Sequence, residues 1–480
     1  MENNKGLLKP TLTITICSIL GIFISFLSQL IIAYYFGAKF ERDAYFVAST
    51  IPTYISSVLT GSIGIVFLPR VVNIINSKHK EINNFLSTVI WLMTLTLIII
   101  VTLILLFSKQ VVQIVAIGFN LQQIEFTAKL LIIIIPYVIF NILGNLLSSL
   151  YQIRHNFLRP ALSPIITSVV SLLCVILLFS KIGIFALAVG TLLGSLLSFL
   201  ILIPVLKHNK IKFFINLKDF DIQLFLKTLF PLFISGILFR STSIFERMIA
   251  SNLPDGSISY LGYSNQILII LATLTSSGIA VSVYPTLAKF WTDKRKGDFS
   301  ILFIKMIRII LLISLPIALS LIFYGELFIR AVFERGAFTP DVTNAVSLAL
   351  AWSMGAFIFQ GLGTIVAKVF YITNRTTMQS LIASLEIVLY LIFGFFLSKY
   401  CTFIGLSIAL SISSMINILL SLYFINKFIM KIEFSILFRD ISKILLANII
   451  SILVVYIAYE LIFDIHNFIG LVFCHIIGLI

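Results

Sequence analysis

Long apolar stretches recur along this chain at a length and spacing that few folds can accommodate. They fall at roughly 10–36, 44–69, 85–107, 128–151, 160–180, 183–206, 228–250, 258–288, 303–324, 342–371, 378–398, 403–426, 441–463 and 467–480, divided by short polar gaps. Most reach the roughly 20 residues that a helix needs to cross a bilayer. In lipid every backbone polar group must be satisfied internally, which leaves helices and closed barrels as the only spanning structures. Segments this long predict helices, and hence an all-α polytopic membrane protein with about fourteen transmembrane helices. The last segment is short for a full span. Pro52, Pro136, Pro164, Pro231 and Pro316 fall inside segments, where neighbouring helices can satisfy the backbone groups they free. Composition agrees: 11% of the residues are charged, against roughly a quarter in soluble domains.

The distribution of charge tests this segmentation. With the N-terminus in the cytoplasm, the tail and the gaps at 70–84, 152–159, 207–227, 289–308, 368–377 and 427–443 hold 24 of the 34 Lys and Arg. The alternate gaps hold eight, and Arg240 and Arg247 lie within a span. Acidic residues divide nine outside to eight inside, as expected of a rule that concerns cations. The net charge of +15 is thus spread over short cytoplasmic gaps rather than gathered into a nucleic-acid-binding surface, and no nucleic-acid partner is expected. Cys17, Cys174, Cys401 and Cys474 lie far apart in apolar surroundings, without metal or disulfide spacing. The first segment is too long for the apolar core of a signal peptide and reads as a retained helix.

An internal repeat is also present. Residues 60–69 (TGSIGIVFLP) and 276–285 (SSGIAVSVYP) are small-residue stretches that end in Pro ahead of a basic gap, 216 residues apart; Tyr151 and Tyr371, each closing a segment, are 220 apart. Six segments separate the copies, so the repeats run parallel, a common plan among transporters. The expected organisation is a six-helix lobe over 1–206, a second over 207–427, and two additional helices over 428–480.

Ionisable residues within spans mark functional sites by default. Arg240 and Arg247 lie seven residues apart, nearly two turns, so a continuous helix would put both on one face, with Glu246 about 100° from Arg247. Two stacked guanidinium groups suit a diphosphate; the plainer alternative has Arg247 reaching the outer interface and Arg240 paired with an acid. Glu386 either binds a coupling ion or pairs with an arginine. Asp43 either complements the dipole of the second helix or lines an outward opening, and Lys368 either lines a substrate path or is an ordinary cytoplasmic-side cation. No Zn-protease, P-loop or nucleophile-elbow motif occurs, and no gap is long enough for a catalytic domain. Neither enzymatic activity nor any cofactor or metal is expected.

Three stretches resemble one family. Phe36-Gly37-Ala38 followed by Asp43-Ala44-Tyr45-Phe46-Val47-Ala48 and Ile51-Pro52 resembles the first-to-second helix signature of the MurJ/MviN lipid II flippases. Phe245-Glu246-Arg247-Met248-Ile249-Ala250-Ser251 with Gly256-Ser257-Ile258-Ser259 and Tyr263 is similar to the family's seventh-to-eighth helix region, and Phe333-Glu334-Arg335-Gly336-Ala337-Phe338-Thr339 with Asp341 to an outer-loop motif. The resemblance implies the multidrug/oligosaccharidyl-lipid/polysaccharide exporter fold and alternating-access transfer of lipid II from the inner to the outer leaflet of the bacterial cytoplasmic membrane. It also implies an undecaprenyl-linked substrate, contact with membrane lipids, and binding roles for Arg247, Glu246 and Asp43. Family arginines align here with positions near Ile22 and Ser28, with about Ser56, and with Gln266. That weaker cationic character leaves room for another undecaprenyl-linked oligosaccharide; a drug/cation antiporter, a membrane glycosyltransferase and a non-transporting scaffold are the further rivals. The sequence leaves the oligomeric state open, with a monomer as the working expectation.

Overall fold

A computed structural model describes residues 4–76, 82–154, 156–208, 214–432, 439 and 442–452. Among these residues there are helices and no strands. The first six apolar segments become α1 (Asn4–Phe36), α2 (Phe40–Asn76), α3 (Ile82–Leu106), the pair α5 (Leu121–Ile134) and α6 (Tyr137–Ile153), α7 (Leu158–Ile182) and α8 (Phe185–Leu200), with short α4 (Ser108–Val115) and α9 (Pro204–His208) between them. The next six become α10 (Phe220–Phe239) with α11 (Thr242–Ala250), α12 (Ser257–Ala272) with α13 (Gly278–Thr292), α14 (Lys296–Phe333), α15 (Pro340–Ile372) and the 53-residue α16 (Thr376–Phe428). Eleven of the described helical stretches are long and apolar enough to cross a membrane. The last of these, α16, carries two expected segments, because it turns at Thr402. A further helix covers Ser442–Ile452 of the thirteenth segment; the rest of that segment and the fourteenth lie outside the described residues. The chain is an all-α polytopic membrane protein.

Several expected helices are interrupted. The fourth segment breaks at Pro136, the N-cap of α6, where proline has no N–H to donate. The eighth passes through a π-helical turn at Thr273–Ser277. The seventh breaks at Arg240–Ser241 without a proline at the break.

The chain forms two compact units, residues 1–258 and 259–480. In the first, α7 and α8 approach closely because Gly190 and Gly194 face the backbone of α7. A Cβ on Gly194 would lie 2.7 Å from the Thr167 carbonyl oxygen, the small-residue packing that membrane helices favour. The stacked rings of Phe67 and Phe85 meet Phe225 edge-on and tie α2 and α3 to α10. The helices α10 and α11 therefore belong to the first compact unit, although they begin the second copy of the sequence repeat. The core of the second unit is built on Phe299, Phe303, Ile310, Val369, Phe370 and Ile425, from α14, α15 and α16.

The repeat recurs in backbone conformation. The turn between α7 and α8 is made by Gly183 at φ 57°, ψ −133°, and the turn within α16 by Thr402 at φ 50°, ψ −134°. The two are 402 − 183 = 219 residues apart, which matches the sequence offsets. Glycine adopts this conformation freely; for threonine it costs on the order of 1–3 kcal/mol. Three residues on, Gly405 lies against the Leu397 backbone, where a Cβ would come within 2.4 Å of the carbonyl oxygen, so the hairpin holds Thr402 in place. Thr402→Gly is expected to stabilise the protein by about 1 kcal/mol, the strain relieved less the entropy of a freer unfolded chain. A raised midpoint in thermal unfolding in detergent checks this, and an unchanged or lower midpoint would contradict it.

Candidate functional site

Two polar sites lie within the first unit. One is at the end that the charge tally assigns to the outside, where α1 passes to α2 and α11 to α12. Gly37, at φ 54°, ends α1, and the first turn of α2 carries Arg42 and Asp43, which are 1% and 2% exposed. The Asp43 carboxylate accepts the Gly256 N–H at 2.6 Å. On α11, Glu246 and Arg247 are both buried and form an ion pair at 3.1 Å; Arg247 also donates to the Ile258 carbonyl at 3.2 Å. The Phe46 ring collects both cations, with the Arg42 guanidinium carbon 4.2 Å and the Arg247 guanidinium carbon 5.4 Å from its centre. The same end is closed further by Ser251, whose hydroxyl accepts the Gly118 N–H at 3.1 Å.

Two arginines and two carboxylates thus form a charge-balanced, water-poor cluster. Burying such groups is costly unless they are paired, and removing one partner strands a buried charge. Arg247 is buried rather than extended into solvent. Its charge is committed to Glu246 and a carbonyl in this conformation. Arg42 is the member that sequence reasoning missed, having been counted only as an outer-gap cation. The available signal was its spacing of three and four residues from Tyr45 and Phe46, which puts cation and rings on one helix face.

The second site is the break between α10 and α11. In an unbroken helix the Ile237 carbonyl would accept the Ser241 N–H. Here the Tyr54 hydroxyl of α2 donates to that carbonyl at 2.8 Å, and Ser241 N–H turns to Leu238 instead, at 3.3 Å. The Arg240 side chain, at the break, is exposed. Its guanidinium lies over Gly61 of α2, where a Cβ would come within 2.7 Å of Nη2. Among the described residues Arg240 has no ion pair or hydrogen bond from its side chain. Ser241 makes no side-chain cap on α11, so the positive end of that half-helix is presented beside an uncompensated guanidinium. Half-helix N-termini at breaks in membrane helices are where transporters receive anionic groups. The shared helix face expected of Arg240 and Arg247 does not form, because the break places them on separate helices. Tyr54→Phe should return the Ile237 carbonyl to Ser241 and straighten the helix. Spin-label distances across residues 236–244 report the straightening, and unchanged distances would refute the role of Tyr54.

The remaining expected residues belong to the second unit. The Lys368 ammonium on α15 lies 5.2 Å from the centre of the Tyr284 ring on α13. The Glu386 carboxylate, on the first arm of α16, accepts from Ser414 at 2.9 Å and from Asn417 at 2.6 Å, both on the second arm. Among the described residues it has no arginine partner, so that alternative is not realised there. Of the positions where the resembled family carries arginine, Ser28 and Ser56 are buried small residues in the first unit.

Comparison with known proteins adds to this geometry. The family model described as lipid II flippase MurJ matches residues 32–478. A probable lipid II flippase MurJ of Buchnera aphidicola subsp. Baizongia pistaciae (strain Bp) is 26% identical over 425 residues, covering 86% of this chain and 82% of the relative. The lipid II flippase MurJ of Thermosipho africanus (strain TCF52B) is 27% identical over 444 residues, covering 91% and 87%. Among solved structures, a lipid II flippase MurJ in an inward closed conformation superposes with a TM-score of 0.86 at 24% identity, over 97% of this chain and 96% of that one. An inward-facing multidrug resistance MATE family transporter of the MOP superfamily gives a TM-score of 0.70 at 13% identity, over 86% and 94%. These structural likenesses establish the two-lobed fold.

Proposed function

The chain belongs to the lipid II flippase MurJ family, and from that membership we propose that it carries lipid II across a bacterial cytoplasmic membrane, from the inner leaflet to the outer. The observation that carries the reading is the family match, which extends over nearly the whole chain. Transfer is by alternating access and involves no chemical step. The N-terminus is cytoplasmic, the protein acts as a monomer, and the polyprenyl tail of the substrate stays in lipid while the headgroup crosses.

The diphosphate is received at the break between α10 and α11. Arg240 supplies the cation there and the first turn of α11 supplies N–H groups. Arg247 becomes available to the headgroup when the cluster of Asp43, Glu246 and Phe46 opens for release. In the second unit Lys368 lines the path. Glu386 is the membrane-embedded carboxylate that takes a coupling cation, so Glu386→Gln should make transport insensitive to an imposed sodium or proton gradient; a gradient dependence that survives the substitution would remove it from coupling.

Gly61 offers a direct test of the phosphate site. A valine there displaces the Arg240 guanidinium, a flexible group, without touching the outer cluster. Gly61→Val is expected to lower lipid II transfer in reconstituted vesicles about tenfold at near wild-type stability. Full transfer with the valine in place would exclude Arg240 from the site.

A further inference from the structure

The first unit contains a cleft of about 330 Å³ between α6, α7 and α8, lined by Tyr137, Asn141, Asn145, Pro160, Pro164 and Ser198 among others. Its size falls at the lower end of ligand pockets, about 300–1,000 Å³. No Asp, Glu, Lys or Arg lines it, so it does not suit the diphosphate. It offers instead a concentration of neutral donors and acceptors where hydrocarbon would be expected. Asn145 is exposed on α6, eight residues from the end of the helix at Ile153, or about 12 Å along its axis. Polar side chains at such depth face protein or water-filled cavities rather than lipid.

Most serines and threonines in spans are satisfied by their own backbone and serve packing, as Thr167 and Ser195 do here. The two asparagines differ. Asn145 Nδ2 donates to the Asn141 carbonyl at 2.8 Å and to Asn141 Oδ1 at 3.3 Å, which fixes the pair as one unit. Among the described residues, Asn145 Oδ1 and Asn141 Nδ2 have no protein partner. On the opposite wall, Pro164 has no N–H, so the Pro160 carbonyl lacks its helical donor. Phe140, packed against Phe199 at 5.9 Å, adds an aromatic surface to the lining. Alternating acceptors and donors beside an aromatic ring match the hydroxyl and acetamide groups of a sugar.

We propose that this cleft binds the uncharged sugar portion of the lipid-linked headgroup, with Asn141 and Asn145 as direct contacts. The inference rests on the flippase reading above and adds to it a second subsite, separate from the diphosphate site, that sets selectivity for the glycan.

The test compares binding of lipid II with binding of undecaprenyl diphosphate, which shares tail and diphosphate but has no sugar, using the full chain in nanodiscs. The wild type should bind lipid II at least about tenfold more tightly than undecaprenyl diphosphate. The N141L/N145L variant should lose that preference, its lipid II Kd rising about tenfold, while its undecaprenyl diphosphate Kd stays put and serves as the control for folding. A variant that keeps the wild-type ratio overturns the sugar subsite. A wild type that binds both lipids equally overturns it too, with the flippase reading intact. A wild type that binds neither lipid overturns the flippase reading and the subsite with it.

Discussion

Replacing Arg240 by alanine is expected to lower lipid II transfer about 100-fold while the protein remains folded. The magnitude follows from a charge-assisted hydrogen bond to phosphate, about 1.5–3 kcal/mol, in a site where little else offsets the diphosphate charge. Folding is spared because the guanidinium is exposed and makes no ion pair among the described residues; its removal strands no buried partner. Arg240→Lys should fall between, since an ammonium keeps the charge but not the planar fork. Initial rates in proteoliposomes, together with unfolding midpoints in detergent, separate the two effects. Wild-type transfer by the alanine variant would place the diphosphate elsewhere.

Arg247→Ala is expected to act in the opposite manner, chiefly on stability. Its guanidinium is buried between Glu246, the Ile258 carbonyl and the Phe46 ring. Deleting it breaks a buried ion pair with the Glu246 carboxylate, which is 6% exposed, at a cost of about 3–5 kcal/mol. Removing both charges should cost less than removing one. The Glu246→Gln, Arg247→Leu double variant is therefore expected to recover at least half of the lost stability. Unfolding midpoints for the two single variants and the double form a cycle. Strict additivity would show that the pair is not coupled, and that Arg247 is held by the ring and carbonyl alone.

How far the sequence revealed this arrangement differs by residue. The spans were legible because membrane crossing depends on apolar length alone, and even the two arms of α16 were separable around Lys399. The breaks were not. At Arg240 no proline stops the helix. The Ser241 hydroxyl donates to the Leu238 carbonyl at 2.7 Å, a local bond that competes with the helix. A hydroxyl on α2, 183 residues before Ile237, takes up the freed carbonyl, so the expectation of two arginines on one face failed in part for a tertiary reason. Arg42 sat in an outer gap with an ordinary charge, and its burial goes with the Phe46 ring against its guanidinium and with the 251–256 loop, whose Gly256 N–H donates to the neighbouring Asp43. Asn141 and Asn145 stood in plain view at helical spacing, yet hydropathy averaged over a span hides two amides among leucines. The repeat was legible from small-residue stretches and offsets, and Gly183 and Thr402 extend it to backbone angles that the sequence alone disguises, since one of them is a threonine.

The central claim is transfer of lipid II, and the most direct measurement is rescue of a conditional bacterial strain deprived of its own lipid II flippase. Accessibility of lipid II in the outer leaflet would be scored as this chain is expressed. Restored growth together with restored accessibility is the predicted result, and it should be lost with Arg240→Ala. Membrane expression equal to that of a functional control, without restored accessibility, would contradict the account.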